Sequence, residues 1–402
     1  MKKELKDKIA FAADKAAEYC LYAAAFFIPI SISAIEVFVS LALAAFIVKK
    51  IISPDLAFIK SRLNFFLLLF FIFCGLSLLN SGPYLDKSLF ALFFKWGKNI
   101  TIFFLVQDTL NSGKRIRNTV TVLLLVGCIM AIDGLSQRFF GREFIFGGQM
   151  HAMNYAMTRG LSAVTGPFDH YNDFAAYLVP VAALFGAALS GKGNNRVVFC
   201  GLLSGLCLSV ACLALTYSRG GWVGLGGAVL LMLFLSGNWK GIVPILCFFM
   251  LAVILVPLAR ERAVFIFQSG GDAERYGVWK GAWGMIKDHP FLGKGIGTFM
   301  ANFAQYTKGL GIRYAHNCYL QIWAETGVFA LISFISFLWL LLRQGINSFR
   351  RSRDHAVLGL LCAIFGFSIH SFFDTHLYSL QLSELFWFMS GMLVVNSARL
   401  KP

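Results

Sequence analysis

Long runs of apolar residues with few or no charges recur from one end of this chain to the other. Stretches such as 63–80 and 220–236 are each long enough to cross, or nearly cross, about 30 Å of hydrocarbon as a helix. A soluble domain has no use for so many runs of that kind. Composition agrees: 58% of the 402 residues are hydrophobic and only 14% charged, with 42 Phe, where a soluble domain carries about 25% charged residues. A soluble enzyme, a disordered chain and a disulfide-stapled secreted module are excluded. Nine cysteines include no C-x-x-C pair, so neither a zinc site nor a disulfide framework is indicated.

The expected fold is an all-α polytopic membrane protein, one integral membrane domain over 1–402 with about 12 transmembrane helices. The spans fall near 19–33, 34–48, 63–80, 88–107, 116–137, 172–190, 196–216, 220–236, 240–258, 317–342, 355–372 and 380–397. The first two are short and read either as a tight hairpin or as one element bent at Pro29. Residues 1–20 read as a short cytoplasmic amphipathic helix without the apolar region and cleavage site of a signal peptide. An even number of spans puts both termini on one side.

Net charge is +16, from 36 Lys and Arg against 20 Asp and Glu. With the N-terminus inside, the inner segments collect Lys49, Lys50, Lys114, Arg115, Arg117, Arg350, Arg351 and their neighbours. Short outer loops are nearly free of positive charge, as the positive-inside rule requires. Two long outer segments, 138–171 and 259–316, are the exceptions. The second carries eight basic and four acidic residues; topology does not need them there, so an anionic ligand or anionic lipid headgroups are the natural account. Its apolar and aromatic spacing predicts a partly helical extracytoplasmic loop between spans 9 and 10.

Candidate chemistry gathers on the outer side. Arg219, in TYSRGGWVG, is an arginine at membrane depth, which marks a site by default; its guanidinium can fork onto phosphate oxygens. The alternative is a turn arginine snorkelling to headgroups. Arg275 and Lys294 belong to the basic outer loop. His316 stands where that loop enters span ten and suits a general base, or else an interfacial cap. Asn317, Gln321 and Glu325 follow at i, i+4 and i+8, a polar stripe that faces protein or water rather than lipid. Arg159 and His170 flank the start of span six, where loop chemistry and helix capping compete as explanations. His370, Asp374 and His376 lack a usual zinc spacing, and no P-loop, HExxH or Cys–His dyad is present.

Taken in order, GPFDHYNDFAAYL at 166–178, SRGG at 218–221, R-x3-W at 275–279, KDHPFLGKGIGTF at 287–299, HNCYLQIWAETGVF at 316–329 and SFFD at 371–374 resemble the O-antigen ligase and polymerase superfamily of bacterial envelope glycan enzymes. The resemblance implies a GT-C type membrane glycosyltransferase of the bacterial inner membrane, with cytoplasmic termini and a periplasmic active site. It implies no metal, cofactor, nucleotide or nucleic acid. The donor would be a glycan on undecaprenyl diphosphate. The acceptor would be lipid A-core oligosaccharide for a ligase, or a second carrier-linked glycan for a polymerase. By motif, Arg219 and Arg275 would hold the diphosphate, with Arg159 as a third contact, and His316 would assist the acceptor hydroxyl. His170, Asn317, Gln321, Glu325 and Lys294 complete the candidate substrate-binding set. A site that expels a lipid diphosphate without a metal must stabilise two phosphate charges, and arginines do this strongly where the dielectric is low. A flippase or other transporter is the rival class; it would also hold diphosphate, but with charges spread through a central cavity rather than gathered in outer loops.

Overall fold

The computed structural model describes residues 2–55, 61–141, 163–191, 193–237, 271–307 and 314–399. Among these the regular elements are helices alone. In chain order they are α1 Lys2–Phe27, α2 Ile32–Ile52, α3 Arg62–Leu76, α4 Leu85–Phe90, α5 Lys98–Thr109, α6 Gly113–Phe140, α7 Tyr171–Leu189, α8 Arg196–Leu215 and α9 Arg219–Ser236. There follow α10 Gly271–Asp288, α11 Phe299–Phe303, α12 Cys318–Ser352, α13 His355–His370 and α14 Leu380–Arg399. A π-helical stretch, Ala91–Gly97, joins α4 to α5 without interruption.

Eight of the described helical segments are long and apolar enough to cross a membrane, by length and composition. They are Ile32–Ile52, Arg62–Asn80, Gly82–Thr109, Gly113–Phe140, Tyr171–Leu189, Arg196–Leu215, Arg219–Ser236 and Cys318–Ser352; α13 is apolar but shorter, with 16 residues. The chain is a multi-pass membrane protein. The expected span at 240–258 lies outside the described residues. At the N-terminus, α1 and α2 are two helices packed on each other across a four-residue turn at 28–31, which selects the hairpin over the single bent element. Of the expected loop 259–316, the described part holds the helix α10 and the single turn α11.

Helix boundaries follow ordinary capping chemistry. Ser31, Ser61, Ser112, Asn195, Ser218, Asn317 and Asp354 each accept a hydrogen bond from a backbone N–H in the first turn of their helix, satisfying donors that the helix itself leaves open. Aromatic packing fills the centre. Phe70 of α3 meets Trp96 at 5.1 Å and Phe334 of α12 at 5.4 Å, and Phe103 of α5 meets Trp387 of α14 at 5.9 Å. Exposed apolar side chains such as Val197, Phe139 and Trp339 are what a lipid-facing surface requires.

Charges expected near the inner surface do more than orient helices. Lys49 bridges Asp14 and Asp108, both at 2.7 Å, and Arg115 holds Asp14 and Glu18, tying α1 to α2, α5 and α6. Burial of Asp14 opposes ionisation, yet Arg115 and Lys49 hold its carboxyl below the ordinary value. Within the bundle, Lys98 pairs with Glu36 and with Glu384, the latter at 2.6 Å; intramembrane charges survive in such pairs.

One irregularity shapes the packing of α12 against the segment after α10. Helix α12 breaks at Gly327, with φ 82° and ψ 173°, a backbone conformation essentially reserved for glycine. A Cβ there would lie 1.9 Å from the Phe291 carbonyl oxygen. The break lets the segment after α10 run alongside: Val328 N–H donates to Pro290 O, Lys294 N–H to Ala324 O and Gly295 N–H to Glu325 O, at 2.9–3.0 Å.

Candidate active site

Separate stretches of chain converge at the N-terminal ends of α7, α9 and α12 and the C-terminal end of α13. The first is the approach to α7. Gln137 of α6 accepts from the backbone N–H groups of Thr165 (3.1 Å) and Gly166 (2.9 Å) and donates to Gly166 O (2.9 Å), which fixes the turn before the helix. His170 then caps α7, its Nδ1 accepting from Asn172 N–H at 3.1 Å. Burial depresses the basicity of this imidazole, and the nearby carboxylates of Asp374 and Asp173 only partly offset that.

The second stretch is 371–376, between α13 and α14. The third begins α12. They are bolted together: Cys318 N–H donates to Ser371 O (2.9 Å), Cys318 Sγ reaches Asp374 O (3.3 Å) and the Tyr319 hydroxyl donates to Ser368 O (2.8 Å). This clamp brings His316 Nδ1 to 3.1 Å from Asp374 Oδ1. An ionised carboxylate only accepts, so the Nδ1–H donates and Nε2 is left to take a proton. Asp374 is itself held, accepting from Asn172 Nδ2 at 2.7 Å and from Thr375 N–H at 2.8 Å. Burial alone would raise its pKa. The His316 hydrogen bond, the electrostatic effect of the neighbouring His376 and His316 imidazoles and the Thr375 N–H outweigh burial and keep the carboxyl well below its ordinary range.

Arg219 opens α9 and is exposed. The residue before it, Ser218, is buried, caps the helix by accepting from Gly221 N–H, and lies 3.4 Å from His370 Nε2. Gly220 makes that approach feasible: a Cβ on it would sit 2.6 Å from His370 Cδ2 and 2.8 Å from Phe373 Cβ. Arg275, on α10, lies within electrostatic range of the same His370. His370 and His376 are both buried, their ring centroids 4.2 Å apart, and His376 Nδ1 stands 3.5 Å from Asp173 Oδ1. Thus His170 and His316, singled out separately in the sequence, meet in one cluster with Asn172, Asp173, Ser218, His370, Asp374 and His376; Arg219 adjoins it through Ser218, and Arg275 lies within electrostatic range of His370.

The other candidates are placed differently. Asn317 caps α12, accepting from Leu320 N–H at 2.9 Å. Gln321 accepts from Ala315 N–H at 3.1 Å and donates to Glu325 at 3.3 Å. Glu325 accepts from Gly297 N–H (2.9 Å) and Phe299 N–H (3.0 Å). The polar stripe faces protein, as its spacing implied, and its bonds fasten the loop 293–299 and the approach to His316. Lys294 sits 5.8 Å from the Tyr306 ring centroid, with no contact among the described residues to the histidine cluster. Arg159 lies outside the described residues.

Sequence inspection left Asp374 and its neighbours aside because 370–376 lacks a zinc spacing. Among the described residues no group of His, Cys, Asp or Glu is arranged to hold a metal. What the spacing hid is a carboxylate meeting a histidine 58 positions earlier; the SFFD segment was its only trace.

One residue of the cluster and one beside it carry backbone strain. Among the described non-glycine residues, positive φ occurs at Tyr217 (55°), His316 (48°) and Arg353 (53°), and the first two flank or belong to the site. Strained conformations of this kind persist where the surroundings over-determine them, as they do at active sites.

No curated protein matches the chain. Residues 204–335 match the family model described as O-antigen ligase. That segment contains Arg219, Arg275 and His316, so the part of the chain that supplies the two arginines and the histidine is similar to the O-antigen ligase family, in keeping with the resemblance read from the motifs.

Proposed function

We propose that the protein is an O-antigen ligase that transfers a glycan from undecaprenyl diphosphate to lipid A-core oligosaccharide at the periplasmic face of the bacterial inner membrane, with both termini in the cytoplasm. The observation that supports this best is the His316–Asp374 pair. Asp374 keeps the proton of His316 on Nδ1, so Nε2 can draw the proton from an acceptor hydroxyl as it attacks the anomeric carbon. The bond to the diphosphate oxygen breaks as the new glycosidic bond forms, inverting the anomeric centre, and the leaving diphosphate keeps the electron pair. Arg219 and Arg275 neutralise the charge that develops there. Asp374 stays ionised and stabilises the imidazolium. No metal or nucleotide takes part in this reading.

A polymerase, in which the acceptor is a second carrier-linked glycan, uses the same residues in the same roles. Reconstitution separates the two. Purified protein is supplied with undecaprenyl-diphosphate glycan and lipid A-core in the presence of EDTA and without nucleotide. Capped lipid A-core supports the ligase, and lengthening on the carrier supports the polymerase. Transfer by His316→Ala or Arg219→Ala at the wild-type rate would overturn the site, and movement of glycolipid across the bilayer without transfer would favour the flippase class.

A further inference from the structure

Helix α10 is covered on two sides and open on a third. Its buried residues Val278, Ala282, Met285 and Ile286 pack in one cluster with Phe299, Phe303 and Ala324. The glycine flank is filled as well: a Cβ on Gly281 would meet Thr307 Cγ2 at 2.5 Å, and one on Gly284 would meet Tyr306 Cδ1 at 2.8 Å. What remains is Tyr276, Trp279 and Trp283, which recur at helical spacing along one side and are 70%, 38% and 45% exposed. Lys280 and Lys287, both exposed, border them.

Trp279 at the centre of the stripe is not held as a membrane-interface aromatic is. In an aromatic belt the indole N–H serves headgroups and water. Here Trp279 donates its N–H to the Ala315 carbonyl at 3.0 Å, and Trp323 donates to the Pro290 carbonyl at 3.2 Å. Trp283 lies edge-to-face on Trp323, with centroids 5.5 Å apart and planes at 89°. The polar handle of Trp279 is used internally, and Trp283 is steadied by its neighbour. Fixed rings lose little conformational entropy when something stacks on them. The stripe also has a fixed address. Arg275 precedes it, and the Trp279 hydrogen bond lands on the residue immediately before His316.

We propose that Tyr276, Trp279 and Trp283 form a saccharide subsite on which a pyranose ring of the acceptor oligosaccharide stacks. The C–H face of a pyranose is weakly positive and apolar, which suits the negative π-face of an indole or phenol. Lys280 and Lys287 complement phosphate or carboxylate substituents on the same oligosaccharide. The acceptor, rather than the donor, is the occupant because the stripe is joined to the His316 side, where the acceptor hydroxyl must lie. This inference rests on His316 acting as the base in glycan transfer.

The test uses full-length protein in nanodiscs and, as probe, core oligosaccharide freed of lipid A. Saturation-transfer NMR reads contact with the sugar C–H groups, and steady-state transfer to intact lipid A-core gives kcat and KM. Trp283→Ala and Tyr276→Ala are expected to raise the acceptor KM about 3- to 10-fold, the range set by the loss of one stacked aromatic contact. The change in kcat should be less than about twofold, and saturation transfer should fall in parallel, with Trp283→Phe retaining most of both. Tyr276 is largely exposed, so its variant carries the test should Trp283→Ala fold poorly. Unchanged KM and saturation transfer in both alanine variants would overturn the subsite while leaving the ligase reading intact. So would a loss of bilayer reconstitution with sugar contact preserved, the mark of a membrane anchor. Sugar contact that depends on the stripe in a protein that transfers no glycan would keep the subsite and sink the ligase reading instead.

Discussion

If His316 and Asp374 act as one unit, removing both should cost no more than removing the histidine alone. General-base assistance contributes about 10²- to 10⁴-fold, which at about 1.4 kcal/mol per decade is roughly 3–5 kcal/mol of barrier, so His316→Ala should lose a factor in that range. Asp374 acts through the histidine. Its bond to His316 at 3.1 Å is charge-assisted, a class worth about 1.5–3 kcal/mol, so Asp374→Ala should slow transfer about 10- to 100-fold. Independent roles would make the double variant slower by the product of the two factors. A shared role makes it match His316→Ala, a coupling of about 1.5–3 kcal/mol in the double-mutant cycle. The assay is initial rate of glycan transfer in proteoliposomes, normalised to protein that remains folded by gel filtration and thermal melting. Additive losses, or Asp374→Ala within twofold of wild type while folded, would refute the dyad.

Gly220→Ala places a methyl 2.6 Å from His370 Cδ2; it should lower stability by about 1–3 kcal/mol and slow transfer, while Gly226→Ala on the same helix, with open space around the new Cβ, should melt at or above the wild-type temperature. Glu325→Ala orphans the Gly297 and Phe299 N–H groups, at about 1–3 kcal/mol each, and limited proteolysis should then cut within 290–299, which stays resistant in the wild type. Asp374 binds its proton less readily when folded than its ordinary value of 3.8, so its contribution is present above pH 3.8 and is lost as pH falls below that value. The melting-temperature gap between wild type and Asp374→Asn should therefore close below pH 3.8, and a gap constant from pH 5 to 3 would count against the ionised carboxylate.

The membrane class was readable because hydrocarbon imposes one coarse rule, a long apolar run, that α3, α6, α8 and α9 each obey on their own. Segments stabilised by neighbours were harder to read. Helix α1 extends from the charged start through Phe27 because Asp14 and Glu18 are held by Lys49 and Arg115, partners that no local window contains. Arg219, Arg275, His170 and His316 could be singled out because each is a costly residue in an apolar or outer context. Asp374 could not, since its meaning depends on a histidine 58 residues away. The stripe Asn317, Gln321 and Glu325 shows the opposite limit: helical spacing correctly put it on one face, but spacing does not say whether that face meets substrate or the backbone of loop 293–299.

The turn at 371–376 is the common mount for both halves of the proposed reaction. On one side it carries Asp374, and through Ser371 and Cys318 it fixes the start of α12, where His316 is held at a φ of 48°. On the other, Phe373 and the adjoining His370 press against Gly220, and His370 meets Ser218, the cap of the helix that begins with Arg219. The proposed base and the proposed phosphate-binding arginine are thus set by the same few residues, with strain at Tyr217 and His316 on either side of the mount. A reaction that must align an acceptor hydroxyl, an anomeric carbon and a diphosphate along one line gains most when these groups cannot drift apart. In the proposed direct displacement the alignment has to come from the fold, and the turn at 371–376 is placed to supply it.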